Sequence, residues 1–189
     1  MLKNISIFST NFLIQKRPLL AQKRNIYTYG FEIIYSTLFC TLSILLLGAI
    51  QDRLLQTFIF LSVFSVGRVL AGGYHASTYK KCYLLTMATF LATQLLTDIL
   101  IKHHFFQYPL FMFSILYLLI KGPIYSAEKK IKPEAYHTHR KRLIIFLATL
   151  SIITPIYWIQ TSYLISAGIS STIFFVTILF FIKERGRKL

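Results

Sequence analysis

The chain of 189 residues is strongly apolar and strongly basic, with 55% hydrophobic residues, a mean hydropathy of +0.59 and a formal net charge of +15. Only 14% of the residues are charged, which excludes an ordinary soluble domain and places the chain in a lipid bilayer. The basic residues lie between the apolar runs, where they set membrane topology, so their excess does not indicate binding to nucleic acid.

Residues 1–30 are polar and basic, and we expect them in the cytoplasm or at the membrane interface. Four apolar residues recur there at helical spacing: Leu2, Ile5, Phe8 and Phe12. This pattern predicts an amphipathic helix on the membrane surface as far as Pro18, with a disordered basic tail as the alternative. No small-residue cleavage site follows the first apolar run, so we do not expect a removable signal peptide.

Six apolar segments are candidate transmembrane helices, at about residues 31–50, 54–70, 83–101, 108–121, 143–159 and 163–182. The second and fourth are short for a hydrocarbon core of about 30 Å. With six spans and both termini in the cytoplasm, only Arg53 and Lys102 of the inter-span basic residues fall outside, as the positive-inside rule requires. We therefore predict an all-α, polytopic membrane protein, folded as a single domain over residues 1–189.

Residues 121–142 form the largest polar connection, and we expect a basic cytoplasmic loop there because Pro123 and Pro133 stop helix propagation. His137 and His139 of this loop lack a third ligand at useful spacing, and His103 and His104 are expected on the other side of the membrane from Cys82. The sequence therefore predicts no metal and no other cofactor.

A polar, glycine-broken passage, RVLAGGYHASTYKKC, joins the second and third spans. A cysteine attacks as its thiolate and needs a base nearby, and His75 is the nearest imidazole to Cys82. On a straight helix their seven-residue separation would place them about 10.5 Å apart along the axis, so the passage must bend. Gly72 and Gly73 supply the backbone freedom for that bend.

Cys82 is expected to open the third span, where the helix dipole and two preceding lysines favour the thiolate. The passage thus indicates a Cys-His peptidase site at the cytoplasmic face of the membrane, or a pair without chemistry in a membrane scaffold. Cys40 lies in the middle of the first span and is interpreted as a small buried hydrophobe, with both cysteines reduced.

Two acidic residues lie in or beside the spans. Asp98 is too far along the third span to orient His75, and we expect it to pair with Lys102 one turn later. Glu32 begins the first span at the same depth as Arg68. These two form an ion pair, or Glu32 orients the imidazole as the third member of a triad.

The pattern R-x₃-GGYHA-x₅-C, with YGFE before it and GPIYSAEKKIKP after it, resembles the accessory gene regulator protein B (AgrB) family. Members of that family are membrane cysteine endopeptidases that process a small precursor into a cyclic quorum-sensing pheromone. The resemblance implies that His75 is the general base and Cys82 the nucleophile, with supporting roles for Arg68 and Gly73.

The resemblance further implies that the C-terminal tail of the precursor is removed through an acyl-enzyme and that a cyclic thiolactone or lactone forms. An acidic tail would dock on the basic loop at Lys129, Lys130 and Lys132. The expected partners are the precursor peptide, the bilayer and a second copy of the chain, because short spans often need a partner surface. No nucleic acid is expected.

A small transporter or channel subunit is the alternative from another class. It predicts polar residues that face one another near the bilayer midplane, whereas the polar residues of this sequence crowd the predicted cytoplasmic face.

Overall fold

The computed structural model describes residues 2–16, 22–72, 78–123, 133–160 and 162–186. Its helices are α1 (Leu2–Lys16), α2 (Arg24–Ile50), α3 (Leu54–Ala71), α4 (Tyr79–Lys102), α5 (Gln107–Lys121), α6 (Pro133–Ile159) and α7 (Tyr163–Gly186), with a short 3-10 helix, His104–Phe106, before α5. Among the described residues, six helical segments are long and apolar enough to cross a membrane: α2, α3, α4, α5 together with the 3-10 helix before it, α6 and α7. The predicted all-α, six-span architecture is confirmed.

The two ends of the bundle carry different contacts. At one end α2 and α4 begin together, and the Tyr79 hydroxyl donates a hydrogen bond of 3.1 Å to the Glu32 carboxylate. At the other end Arg53 Nη1 lies 2.7 Å from Asp98 Oδ2. We call these the Cys82 end and the Arg53 end, after the residues that mark them. Because α7 starts at the Arg53 end, where the Tyr163 ring stacks on that of His104, it finishes at the Cys82 end.

The expected pairing of Asp98 with Lys102 is wrong. Arg53 lies in the turn between α2 and α3, and this turn brings its guanidinium across the end of the bundle to the carboxylate. His103 and His104 lie at the Arg53 end, opposite Cys82, as predicted.

α7 is the central helix of the bundle. It packs against α3, α4, α5 and α6, and every residue from Ser166 to Ile173 is buried. A Cβ added at Gly168 would lie 3.3 Å from Cγ2 of Ile59 on α3, so the glycine lets the two helices approach closely. The hydroxyls of Thr97 on α4 and Ser171 on α7 lie 2.7 Å apart. Small residues and a contact between two hydroxyls therefore join the spans. This is usual in a bilayer, where the hydrophobic effect does not drive helices together.

Buried polar side chains also occur along α4, far from the Cys82 end. Four threonines line one side of α4, and each donates a hydrogen bond of 2.7–2.9 Å to the carbonyl four residues earlier: Thr86, Thr89, Thr93 and Thr97. The Gln94 side chain is also buried, and its amide has no hydrogen-bond partner among the described residues. The expectation that polar residues crowd the cytoplasmic face is therefore wrong for the interior. Helix carbonyls satisfy the hydroxyl donors inside the bilayer.

α1 forms a helix that packs on the first part of α2. Thr28 donates to the Thr10 hydroxyl at 3.2 Å and Arg24 donates to the Asn11 amide oxygen at 2.7 Å, so the two helices run antiparallel. Its small polar residues face α2, while Phe8 is 73% exposed. The predicted helix is confirmed and the disordered tail is wrong for residues 2–16. Its position on the membrane surface stays a prediction.

α6 begins at Pro133, ten residues earlier than the predicted start at 143. Proline suits the first turn of a helix because its missing N–H has no intrahelical partner there. His137 and His139 therefore lie on a helix and not in a loop. α5 ends at Lys121, just before Pro123, as expected, whereas Pro133 begins a helix where the sequence analysis expected it to stop one.

We expect Gly48→Ala to destabilise the bundle, because the added Cβ would collide with the Thr57 hydroxyl and lie 2.8 Å from its Cβ. Overpacking of this kind costs about 1–3 kcal/mol. Gly30→Ala on the same helix is the matched control, since its Cβ would meet nothing within 4 Å. The measurement is the midpoint of thermal unfolding in detergent. Equal midpoints for the two variants would contradict the close approach of α2 and α3.

Candidate functional site

Cys82 lies in the first turn of α4. The turn is capped by Thr78, whose extended backbone precedes the helix and whose hydroxyl accepts a hydrogen bond of 3.3 Å from the Lys81 amide. The Cys82 amide donates to the Thr78 carbonyl at 3.0 Å. This placement confirms the prediction that Cys82 opens the third span. It lies near the positive end of the helix dipole, which favours negative charge there.

α2, α3 and α4 contact one another, and the Cys82 thiol on α4 is free and half-buried. Cys40 of α2 is also a free thiol and is half-buried against the core. It is close enough to Cys82, and to Arg68 of α3, to interact with both electrostatically. One residue further along α4, the Tyr83 ring packs against that of Phe39, with centroids 5.4 Å apart. The structure therefore brings Arg68 and Cys82 to one region, together with Cys40, which the sequence analysis treated only as a core residue.

The chain leaves α3 at the point where the sequence analysis predicted a break. α3 ends at Ala71, and Gly72 has a φ of 71°, in the left-handed region that favours glycine. α4, which carries Cys82, begins only at Tyr79. Gly72 thus uses the backbone freedom that the sequence analysis assigned to it, whereas the bend that would bring His75 to Cys82 lies outside the described residues and stays a prediction.

Glu32 lies at the Cys82 end, as predicted, but with a different partner. Its carboxylate accepts the hydrogen bond from Tyr79, three residues before Cys82 and on the same side of α4. The predicted Glu32–Arg68 ion pair does not form between these two described residues, because α2 faces α4 here. The Arg68 guanidinium lies over the Phe64 ring of its own helix, 5.5 Å from the centroid.

Five predicted site residues lie outside the described residues: Gly73, His75, Lys129, Lys130 and Lys132. Their roles, including a position for Glu32 against the imidazole, stay predictions. Sequence reasoning missed Tyr79, although its three-residue spacing from Cys82 places both on one side of a helix.

The fold and the site define a polytopic helical membrane protein with a half-buried thiol in the first turn of one span, a position suited to a sulfur nucleophile. The family model for Accessory gene regulator B matches residues 7–182. The chain therefore belongs to the AgrB family, which gives it a role in the agr quorum-sensing system.

A relative from Clostridium perfringens (strain 13 / Type A), named "Putative AgrB-like protein 2", is 27% identical over 150 residues. The alignment covers 70% of this chain and 68% of the relative. No solved structure matches the chain.

We expect Tyr79 and Glu32 to be energetically coupled, because the tyrosine donates to a carboxylate in a partly buried position. A double-mutant cycle of Tyr79→Phe and Glu32→Ala should give a coupling of about 1 kcal/mol in the free energy of unfolding in detergent. Tyr83→Phe replaces Tyr79→Phe in the control cycle, and there we expect additive effects. Additivity in both cycles would contradict the hydrogen bond.

Proposed function

We propose that the chain is a membrane cysteine endopeptidase that removes the C-terminal tail of a small precursor peptide and helps to close a cyclic thiolactone or lactone. The observation that carries the proposal is the position of Cys82 in the capped first turn of α4. Membership of the AgrB family supports the same reading.

In the first step His75 takes the thiol proton and the Cys82 sulfur attacks the scissile carbonyl carbon. The resulting oxyanion needs donors, and the first amides of a helix have no intrahelical acceptor, so the start of α4 can supply them. Gly73 is a second source of such a donor, and Arg68 supports the site with its positive charge. The C–N bond then breaks, the imidazolium returns the proton to the leaving amine, and an acyl-enzyme thioester remains.

In the second step a side-chain thiol or hydroxyl of the bound peptide attacks the thioester carbonyl. Its proton passes to the histidine, the Cys82 thiolate leaves, and the peptide closes into a ring. Cyclisation must outrun hydrolysis, and a tethered nucleophile has an effective molarity high enough to do so in a partly dry site. Formation of a thioester from an amide is uphill, so removal of the released tail draws the reaction forward.

An acidic tail has a complementary surface at the Cys82 end. α5 ends and α6 begins there, and the exposed residues Arg140, Lys141 and Arg142 extend the basic connection onto α6. Lys129, Lys130 and Lys132 belong to the same connection and are the proposed docking residues.

The transporter alternative predicts polar residues that face one another inside the bundle, and Thr97 and Ser171 do so. The threonine hydroxyl, however, donates to a carbonyl of its own helix, which is typical of packing between spans. The alternative also gives no reason for a capped cysteine at the start of α4. We therefore favour the peptidase.

Cys82→Ser and His75→Ala should each reduce release of the precursor tail by at least about a thousandfold, because a thiol and its base act as one unit. Cys40→Ser is the matched control and should retain cleavage. The assay is co-expression with a tagged peptide encoded beside the gene, after normal membrane insertion of each variant has been checked. The parent should form a hydroxylamine-sensitive adduct, and unchanged processing in both variants would overturn the mechanism.

We propose that the Cys82 end faces the cytoplasm, because most of the basic residues lie there. In a Cys40→Ala, Cys82→Ser background, Lys80→Cys and Lys102→Cys place single thiols at exposed positions on opposite ends of α4. A membrane-impermeant maleimide should label position 102 on intact cells and position 80 only after permeabilisation. The reverse pattern would put the site outside.

A further inference from the structure

α5 and α7 leave a groove of about 210 Å³ between them. Six side chains line it: Phe113, Tyr117, Phe174, Thr177, Ile178 and Phe181. Phe113 is 59% exposed and Phe181 is 42% exposed, so the groove opens on the outside of the bundle. In a protein that spans a membrane, an apolar groove on this surface is covered by lipid chains.

The groove ends, toward the Cys82 end, at a cluster of ionisable side chains. The Tyr117 hydroxyl donates to one oxygen of the Glu184 carboxylate at 2.7 Å, and Lys121 Nζ lies 3.9 Å from the other oxygen. The Arg185 guanidinium lies over the Phe181 ring, 5.2 Å from its centroid. Tyr117 and Phe181 therefore belong both to the groove and to this cluster, which places the charges at its rim.

The rim presents positive charge to the headgroup region. The Glu184 side chain is 16% exposed, and its carboxylate is held by tyrosine and lysine inside the protein. The Lys121 side chain is 49% exposed, and Arg185 is exposed. The planar guanidinium of an arginine can donate to two phosphate oxygens at once.

We propose that this groove binds one anionic phospholipid from the leaflet at the Cys82 end, with an acyl chain between α5 and α7 and its phosphate at Lys121 and Arg185. A zwitterionic headgroup would bring its own cation to this positive rim, whereas a headgroup of net negative charge would not. Each basic residue near the membrane surface should raise the affinity for an anionic lipid, relative to a zwitterionic one, about fivefold. The proposal does not depend on the peptidase activity.

The simpler role for these cations is to compensate the partial negative charge at the C-terminal ends of α5 and α7. That role predicts a loss of stability on their removal but no preference between lipid headgroups. The two roles are therefore separated by measuring lipid selectivity and not by measuring stability.

Trp158 is the sole tryptophan, so Phe174→Trp in a Trp158→Phe protein reports on the groove alone. The protein is reconstituted in phosphatidylcholine vesicles, into which brominated phosphatidylglycerol or brominated phosphatidylcholine is titrated. Quenching by the anionic lipid should reach its midpoint at a concentration at least about fivefold lower. The substitutions Lys121→Gln and Arg185→Gln together should abolish the difference, and Lys121→Arg should retain it.

Lys102→Gln is the matched control, because it removes an exposed lysine at the opposite end of the bundle and should leave the preference intact. Native mass spectrometry of the unlabelled chain gives a second measurement that does not depend on the tryptophan variant. It should show a phosphatidylglycerol adduct that the double substitution removes and that inorganic phosphate does not displace. Equal quenching by the two lipids, or a preference that survives the double substitution, would overturn the proposal.

Discussion

The close approach of helices around the buried part of α7, from Ser166 to Ile173, is the constraint on which the rest of the structure depends. Apolar side chains gain little by leaving lipid for protein, so spans associate through small residues and satisfied polar groups. Gly168 admits the Ile59 side chain, and a hydroxyl pair joins α7 to α4. Because α7 fixes both α3 and α4, it also sets where Arg68 and Cys82 stand relative to each other.

The number and order of the spans could be predicted because bilayer thickness sets the length of an apolar run, and composition alone reports that length. The exact ends of the helices could not be predicted in this way. α2 begins at Arg24 and α6 at Pro133, both inside polar sequence, and a polar helix differs little in composition from a polar loop. The packing between spans could not be predicted either. The sequence does not distinguish a buried threonine, which donates to a carbonyl of its own helix, from an exposed threonine.

In the site, too, some features could be predicted from the sequence and others could not. Cys82 at the start of a helix, and the break at Gly72, follow from local chemistry and were predicted. Arg68 as a partner of Glu32 and Lys102 as the partner of Asp98 were predicted wrongly, because the contacts that form join segments far apart in the chain, for which one sequence carries no direct signal. The spacing of Asp98 and Lys102 suited a local pair, but a tertiary contact prevailed. The catalytic role of His75 and the docking role of the loop lysines stay predictions, because these residues lie outside the described ones.

The way α2 is held has a mechanical consequence. Only Ile44 and Gly48 of its 27 residues are buried, and Gly48 sits tightly against Thr57 near the Arg53 end. Beside Cys82 the same helix is joined to α4 by one hydrogen bond and a ring contact. The bundle therefore restrains α2 most firmly near the Arg53 end, and beside the thiol the helix is held by these two contacts and by α1, which packs on its first part.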